Sequence, residues 1–319
     1  MEAMMKTKTQ ITRKIGYKQK EIPTSSIAQC RNIFFAPYLK LPPKLRGIKS
    51  NKDVKINDHE VIIEKFFTLL TEKHRDVLIA CLLSCHNKGL KEDGSLALLF
   101  SLRQVLKKLG VEEHNQLWLI GKLKELRFAP FTVIDKNDKN LQYPFTILSE
   151  LKLSKVLNEN IDGGFMKNKI YYYYAAISKE FIEFMHYDVQ IYINKHILES
   201  IIELKSAEAK TLAWYCLSQN KLNKDLEDVL KELGVLSDKT SKQVKSLKLN
   251  NIKEEYEDLR GKFGIEVKSM QNRRLGVFYT KHKSVYFRNN KKEIKFINFE
   301  KEQKNETFSN LIKEISQPI

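Results

Sequence analysis

The sequence predicts an α+β fold that is mainly helical and built twice over. Three observations carry this. A ten-residue pattern, LRQVLKKLGV at 102–111, returns as LEDVLKELGV at 226–235, in register and again ending in Gly-Val. Each copy follows an apolar helix pattern and precedes a polar-faced helix and a hairpin pattern. A chain of 319 residues is long for one core and ordinary for two domains.

Residues 1–21 are basic and polar, with Lys6, Lys8, Arg13, Lys14, Lys18 and Lys20, and are expected as a loose arm. The first domain is placed at 22–186. After Pro23 and the polar Thr24, Ser25 and Ser26 comes a short apolar stretch ending at Pro37, and PPKLRG at 42–47 is a turn-rich connector. HRDVLIACLLSCHN at 74–87 is apolar on nearly all sides from Val77 to Leu83, the pattern of a helix at the centre of a domain. Leu102, Val105, Leu106 and Leu109 then fall on one helical face, and Gly110 stands where a left-handed C-cap ends the helix. HNQLWLIGKLKEL at 114–126 gives a second helix whose Leu119, Ile120, Leu123 and Leu126 pack on the first. Its other face carries Asn115, Gln116 and Lys122. FTVIDKNDKNLQYPFTI at 131–147 is two strands around a polar turn.

IYYYYAAI at 170–177 is a strand, and KEFIEFMH at 179–186 a helix leading to the second domain, placed at 187–298. There the order recurs. An apolar-rich helix pattern covers 203–220; Leu226, Val229, Leu230 and Leu233 make the short one-sided helix, stopped by Gly234. Ser237, Asp238 and Thr240 offer N-caps for a helix running on toward Leu259. IEVKSMQNRRLGVFYT at 265–280 is a strand, a basic turn and a strand, with Ser284–Arg288 as a candidate third; residues 299–319 are a tail. Helix, turn, helix, hairpin is the outline of a winged helix, so the expectation is two tandem winged-helix domains, each with a small β-hairpin wing.

With 56 Lys+Arg against 39 Asp+Glu the net charge is +17, which favours a polyanionic partner, nucleic acid or an anionic membrane face. A hydrophobic content of 42%, with 13 Tyr and 17 Phe, excludes wholesale disorder. No run of about 18 apolar residues is present for a spanning helix. The N-terminus has no apolar signal core, so a cytoplasmic protein is expected. Four cysteines without paired spacing fit reduced thiols.

Catalytic readings fail on residues. His74-Arg75-Asp76 has Cys81 where a kinase catalytic loop needs Asn, and no glycine-rich phosphate loop is present. Cys81, Cys85 and His86 lack a second ligand pair for a metal. The tyrosines at 171–174 lack the clustered histidines that a nicking enzyme needs for its metal, and fit a strand. No enzyme activity, cofactor or metal is expected.

A winged helix presents the outer face of its second helix to the major groove and grips the backbone with its wing. In the second domain that face holds Thr240, Ser241, Lys242, Gln243, Lys245, Ser246 and Lys248, and the wing region adds Arg273, Arg274, Lys281 and Lys283. From Ser237 to Lys283 there are twelve basic residues against six acidic ones, and the acids cluster in mid-helix. Gln pairs bidentately with adenine; Lys reaches guanine or phosphate. In the first domain Asn115, Gln116 and Lys122 are the candidates, diluted by Glu112, Glu113 and Glu125. A transcriptional or partition regulator would use the same surface without opening DNA.

Several of these stretches resemble the iteron-binding plasmid replication initiators of the TrfA type. IPTSSIAQCRNIFFA at 22–36 is similar to that family's short motif upstream of the first domain. The segments 75–83, 102–110 and 117–126 resemble its first winged helix, and 226–234, 240–247 and 252–265 its second. The resemblance covers about residues 21–270 and departs in the longer wing with Arg273 and Arg274. It implies binding to direct repeats at a plasmid origin, opening of nearby AT-rich DNA, and recruitment of the host initiator and replicative helicase. It also implies a monomer that binds the origin and a homodimer that represses, at the nucleoid or plasmid and with no membrane.

Overall fold

The computed structural model of the protein describes residues 24–30, 34–40, 50–56, 59–65, 69–154, 172–270, 274–288 and 297–298. The basic arm, the connector at 42–47 and the tail lie outside them. The chain enters with β1 (Ser25–Ser26), α1 (Ile27–Cys30), β2 (Phe35–Ala36), β3 (Ser50–Ile56), β4 (His59–Lys65) and β5 (Leu70–Thr71). The central helix α2 (Glu72–Ser84) follows, then β6 (Asn87–Leu90), β7 (Leu96–Ser101), α3 (Leu102–Lys108) and α4 (Gln116–Phe128). Next come β8 (Pro130–Asp135), β9 (Leu141–Thr146), β10 (Leu148–Ser154), β11 (Tyr172–Ile177), α5 (Lys179–Tyr187) and β12 (Gln190–Ile193). The second half has α6 (Lys195–Glu203), α7 (Ala207–Leu217), β13 (Lys221–Asp225), α8 (Leu226–Glu232), α9 (Lys242–Glu254) and α10 (Tyr256–Phe263). It ends in β14 (Glu266–Ser269), β15 (Leu275–Thr280), β16 (Val285–Arg288) and β17 (Ile297–Asn298).

The repeated pattern folds the same way twice. The C-cap residues of α3 and α8, Leu109 and Leu233, share φ −80° and ψ −4°, and the glycines that follow adopt φ +64° at Gly110 and φ +71° at Gly234. Side chains rarely tolerate that conformation, so glycine is required there. Val111 and Val235 then donate back to Leu106 and Leu230, at 3.0 and 2.8 Å, turning the chain toward the next helix. A strand precedes each copy: β7 leads into α3, and β13 into α8.

The expectation of a mainly helical chain made of two tandem winged-helix domains, each with a small hairpin, is overturned. The described residues form five sheets, making this a mixed α+β fold in which strand rivals helix. The hairpin β8–β9 forms where expected, but it is the middle of a five-stranded sheet ordered β17-β9-β8-β4-β3. A second sheet, β10-β11-β7-β6, covers the first half, with the tyrosine run pairing between β10 and β7. The signal for β3 and β4, two β-branched runs on either side of Asn57-Asp58, is present in the sequence beneath a heavy load of charge. Residues 284–288 do not extend the second hairpin either. β16 pairs with β12, which pairs with β1, so that the N-terminal segment, the junction of the halves and the end of the second half share one sheet.

One hydrophobic cluster, from Cys30 to Val285, runs through both halves. In the first, Phe34 lies edge-on to Phe131, Phe145, Phe181 and Phe184, with centroids 5.0 to 5.8 Å away, fixing the hairpin to α5. Between the halves the core is charged. Lys210 of α7, 2% exposed, donates to Oδ1 of Asp76 on α2 at 3.1 Å, pairs in charge with Oδ2 at 3.0 Å, and donates to the carbonyls of Ile201 and Ile202 at 2.8 and 2.7 Å. All three ammonium hydrogens thus have acceptors, and the last turn of α6 is capped by a cation. Beside it, Arg75 donates to the Gln29 carbonyl at 2.9 Å and lies between the rings of Phe35 and Trp214.

Glu72 completes this cluster, accepting from the Thr211 hydroxyl at 3.2 Å. Burial pushes its carboxyl up to about 7, against the pull of Arg75. The fold therefore prefers the protonated acid. Its contribution to stability is whole below the unfolded carboxylate range, near pH 4.3, and is lost as pH rises through about 7. Glu72→Gln keeps the acceptor for Thr211 and removes the titration. Between pH 5 and pH 8 the native protein is expected to lose on the order of 3 kcal/mol more than this variant, measured by urea unfolding; equal losses would show that Glu72 does not titrate in this window.

Candidate nucleic-acid interface

The second half presents its helices on a three-stranded sheet, β13-β15-β14. Asp225, at the end of β13, caps α8 by accepting from the backbone N–H of Glu227 at 2.8 Å and of Asp228 at 3.4 Å. Ser241 caps α9, accepting from the Val244 N–H. The helix expected to run on to Leu259 breaks instead at Glu255. That buried carboxylate turns away to accept from the backbone N–H of Lys205 and Ser206, each at 2.6 Å, just ahead of α7. Two helices result, α9 and α10, and Ile252 packs α9 into the core.

The predicted contacts on α9 divide. Lys242, Gln243 and Ser246 are exposed on its outer side, together with Val244, Leu247 and Asn250. Lys245 reaches back to Glu227 on α8 at 2.5 Å, and Lys248 donates to the Val235 carbonyl and lies over the Tyr38 ring. Burial lowers the Lys248 ammonium below its ordinary range. Thr240 accepts from the Ser237 N–H at 2.8 Å, and Ser241 is spent as the cap. Thus the lysine stripe read as one basic face is largely structural, because Lys245 and Lys248 point at α8 and at the turn that follows it, and only Lys242 is left outward.

The turn of the second hairpin lies between Ser269 and Leu275, closed by the Met270 N–H donating to the Arg274 carbonyl at 2.7 Å. Arg273 lies outside the described residues. Arg274 is exposed, with its guanidinium 3.8 Å from Asp225. Lys281 and Lys283 are exposed but follow the far end of β15, about 17 Å along the strand from that turn. Lys281 lies there over the Phe287 ring. Arg274 therefore does not cluster with Lys281 and Lys283.

In the first half, Leu119, Leu123 and Leu126 bury one face of α4, and Gln116 and Leu117 are exposed at its start. Asn115 donates to the Glu112 carbonyl. Lys122 turns inward, 2.9 Å from Glu125, whose carboxylate is also 2.6 Å from His74. The hydrogen bond from His74, helped by Lys122, holds the Glu125 carboxyl down at about 2. Lys122 is thus part of an internal triad linking α4 to α2.

Burial pushes the Cys81 thiol well above its ordinary range, which leaves no thiolate for chemistry at that site. Among the described residues no group of three or more His, Cys, Asp or Glu could hold a metal ion, and no helix is long and apolar enough to cross a membrane.

No family model matches the chain, and no curated protein matches it in sequence. Solved structures do share its fold. A crystal structure of selenomethionine derivatives of domains 2 and 3 of RctB superposes with a TM-score of 0.52 over 82% of this chain and 98% of that one, at 12% identity. A second crystal structure of RctB domains 2–3, residues 155–483, gives 0.51 over 80% and 97%, also at 12% identity. The likeness runs through nearly the whole of those chains, so the overall fold is common to both proteins.

Proposed function

We propose that the chain is a replication initiator that binds direct repeats, iterons, in duplex DNA at an origin and carries out no catalytic step. The observation that carries this is the fold shared with domains 2 and 3 of RctB, a replication initiator. The chain's own residues agree with it. A net charge of +17 suits a phosphate backbone, and each half offers one helix with an exposed polar start, Gln116 in α4 and Lys242 and Gln243 in α9. Two such helices on one continuous core suit a long site read on successive turns of the duplex, with Arg274 and its neighbours on the backbone.

Opening of AT-rich DNA beside the repeats, handover to the host initiator and replicative helicase, and a repressing homodimer belong to the same proposal, supported by the resemblance to plasmid initiators. Permanganate footprinting of a supercoiled plasmid carrying the adjacent repeats tests it. Thymines next to the bound repeats are expected to become reactive only when the protein is present. Protection of the repeats with no reactive thymines would make the protein a transcriptional or partition regulator instead.

A further inference from the structure

The outer side of α9 has a composition that the charge pattern did not reveal. Gln243, Leu247 and Asn250 fall at i, i+4 and i+7, a single exposed stripe about 10 Å long, with Ser246 and Val244 on its flanks. Leu247 is 61% exposed at the middle of that stripe, although the helix buries Ile252 on its opposite side. No cation lies on the stripe itself; the exposed Lys242 stands at the first turn beside Gln243, roughly a quarter-turn off its line. The helix has no arginine, Lys245 is held by Glu227, and Lys248 is turned to the Val235 carbonyl.

The major groove supplies a match for each of these side chains. Gln and Asn form paired hydrogen bonds with N6 and N7 of adenine, and an apolar side chain contacts the C5 methyl of thymine; guanine is the base that calls for Arg or Lys. Ten ångströms is the length of about three base-pair steps. We propose that α9 reads an A·T-rich segment of about three base pairs, Gln243 and Asn250 pairing with adenines while Leu247, with Val244 beside it, packs on thymine methyls. This rests on the proposed binding to duplex DNA and deepens it by naming the bases. DNA, rather than a second copy of the chain, is the occupant argued here because amide side chains of the right hydrogen-bonding pattern border the leucine in a protein of charge +17.

The test uses the full chain and duplexes selected by it from a random-sequence pool. Their common core should contain a run of A·T pairs. Replacing one core thymine by deoxyuridine removes only the methyl, worth about 0.8 kcal/mol or roughly fourfold in affinity. The native protein should show that loss in gel-shift titrations. Leu247→Ala should bind the thymine duplex several-fold more weakly and no longer distinguish it from the uracil duplex, with an unchanged melting temperature because the side chain is exposed. Gln243→Ala should relax preference at a single pair. A core of G·C pairs, or an equal thymine-to-uracil effect in the native protein and Leu247→Ala, would overturn the assignment and leave DNA binding intact. Dissociation of a dimer by Leu247→Ala with the thymine preference retained would give the surface to a second copy and also overturn it. Enrichment of no duplex at all would remove the DNA-binding proposal beneath it.

Discussion

Lys210→Met is expected to lower the folding stability by about 3–5 kcal/mol, a large share of the total of about 5–15 kcal/mol of an ordinary domain. The lysine is buried with Asp76 of the other half, and it also neutralises the carbonyl end of α6. Methionine fills most of the volume but leaves the carboxylate of Asp76 without its cation in a dry site. Asp76 already sits above its ordinary range because burial outweighs the pull of Lys210. Removal of the lysine should push it further, so the variant should be least stable at alkaline pH. Pairing the change with Asp76→Leu removes both charges and should restore much of the loss, since a buried ion pair replaced by apolar groups of similar size is often tolerated. Urea unfolding of the single and double variants decides the matter. A single-variant loss below about 1 kcal/mol would mean that the pair does not join the halves.

Affinity for a selected duplex should fall roughly 10³ to 10⁵-fold between 50 and 200 mM salt, the response of a protein that neutralises six to ten phosphates. The lower end is the more consistent with the structure. Lys245, Lys248 and Lys122 are engaged with protein groups, whereas Lys242 and Lys239 are exposed on the surface and Arg274 is exposed beside Asp225, so these three are the cations placed to meet the backbone. Arg274→Ala should reduce the slope of log affinity against log salt by about one, with the same loss on every sequence. A gel-shift titration that is flat in salt would contradict a phosphate-gripping surface.

Local physics made the elements legible. The i, i+3, i+4, i+7 leucines and the two terminal glycines located α3 and α8 because a helix that buries one face must show that period and must end where φ turns positive. The apolar 77–83 stretch located α2, and the alternating runs flanking 136–140 located β8 and β9. The same rules stop short of partners. β16 carries the pattern of a strand, but only the assembled chain brings Val285–Arg288 beside Gln190–Ile193 rather than beside the second hairpin. Glu255 looked like one more acid on a long helix until the start of α7 supplied two backbone donors to its carboxylate.

The candidate interface divides along the same line. Charge and helical spacing by themselves determined that α9 is polar and basic at its start. The tertiary structure decided which of its residues face outward: Lys245 and Lys248 are taken by neighbours, while Leu247 and Asn250 are left in solvent. Sequence sets the periodicity of a helix and the chemistry of its side chains, both local properties. Which arc of that helix meets the core, and which lysine finds a carboxylate distant in sequence, depends on packing against elements that only the folded chain brings within reach.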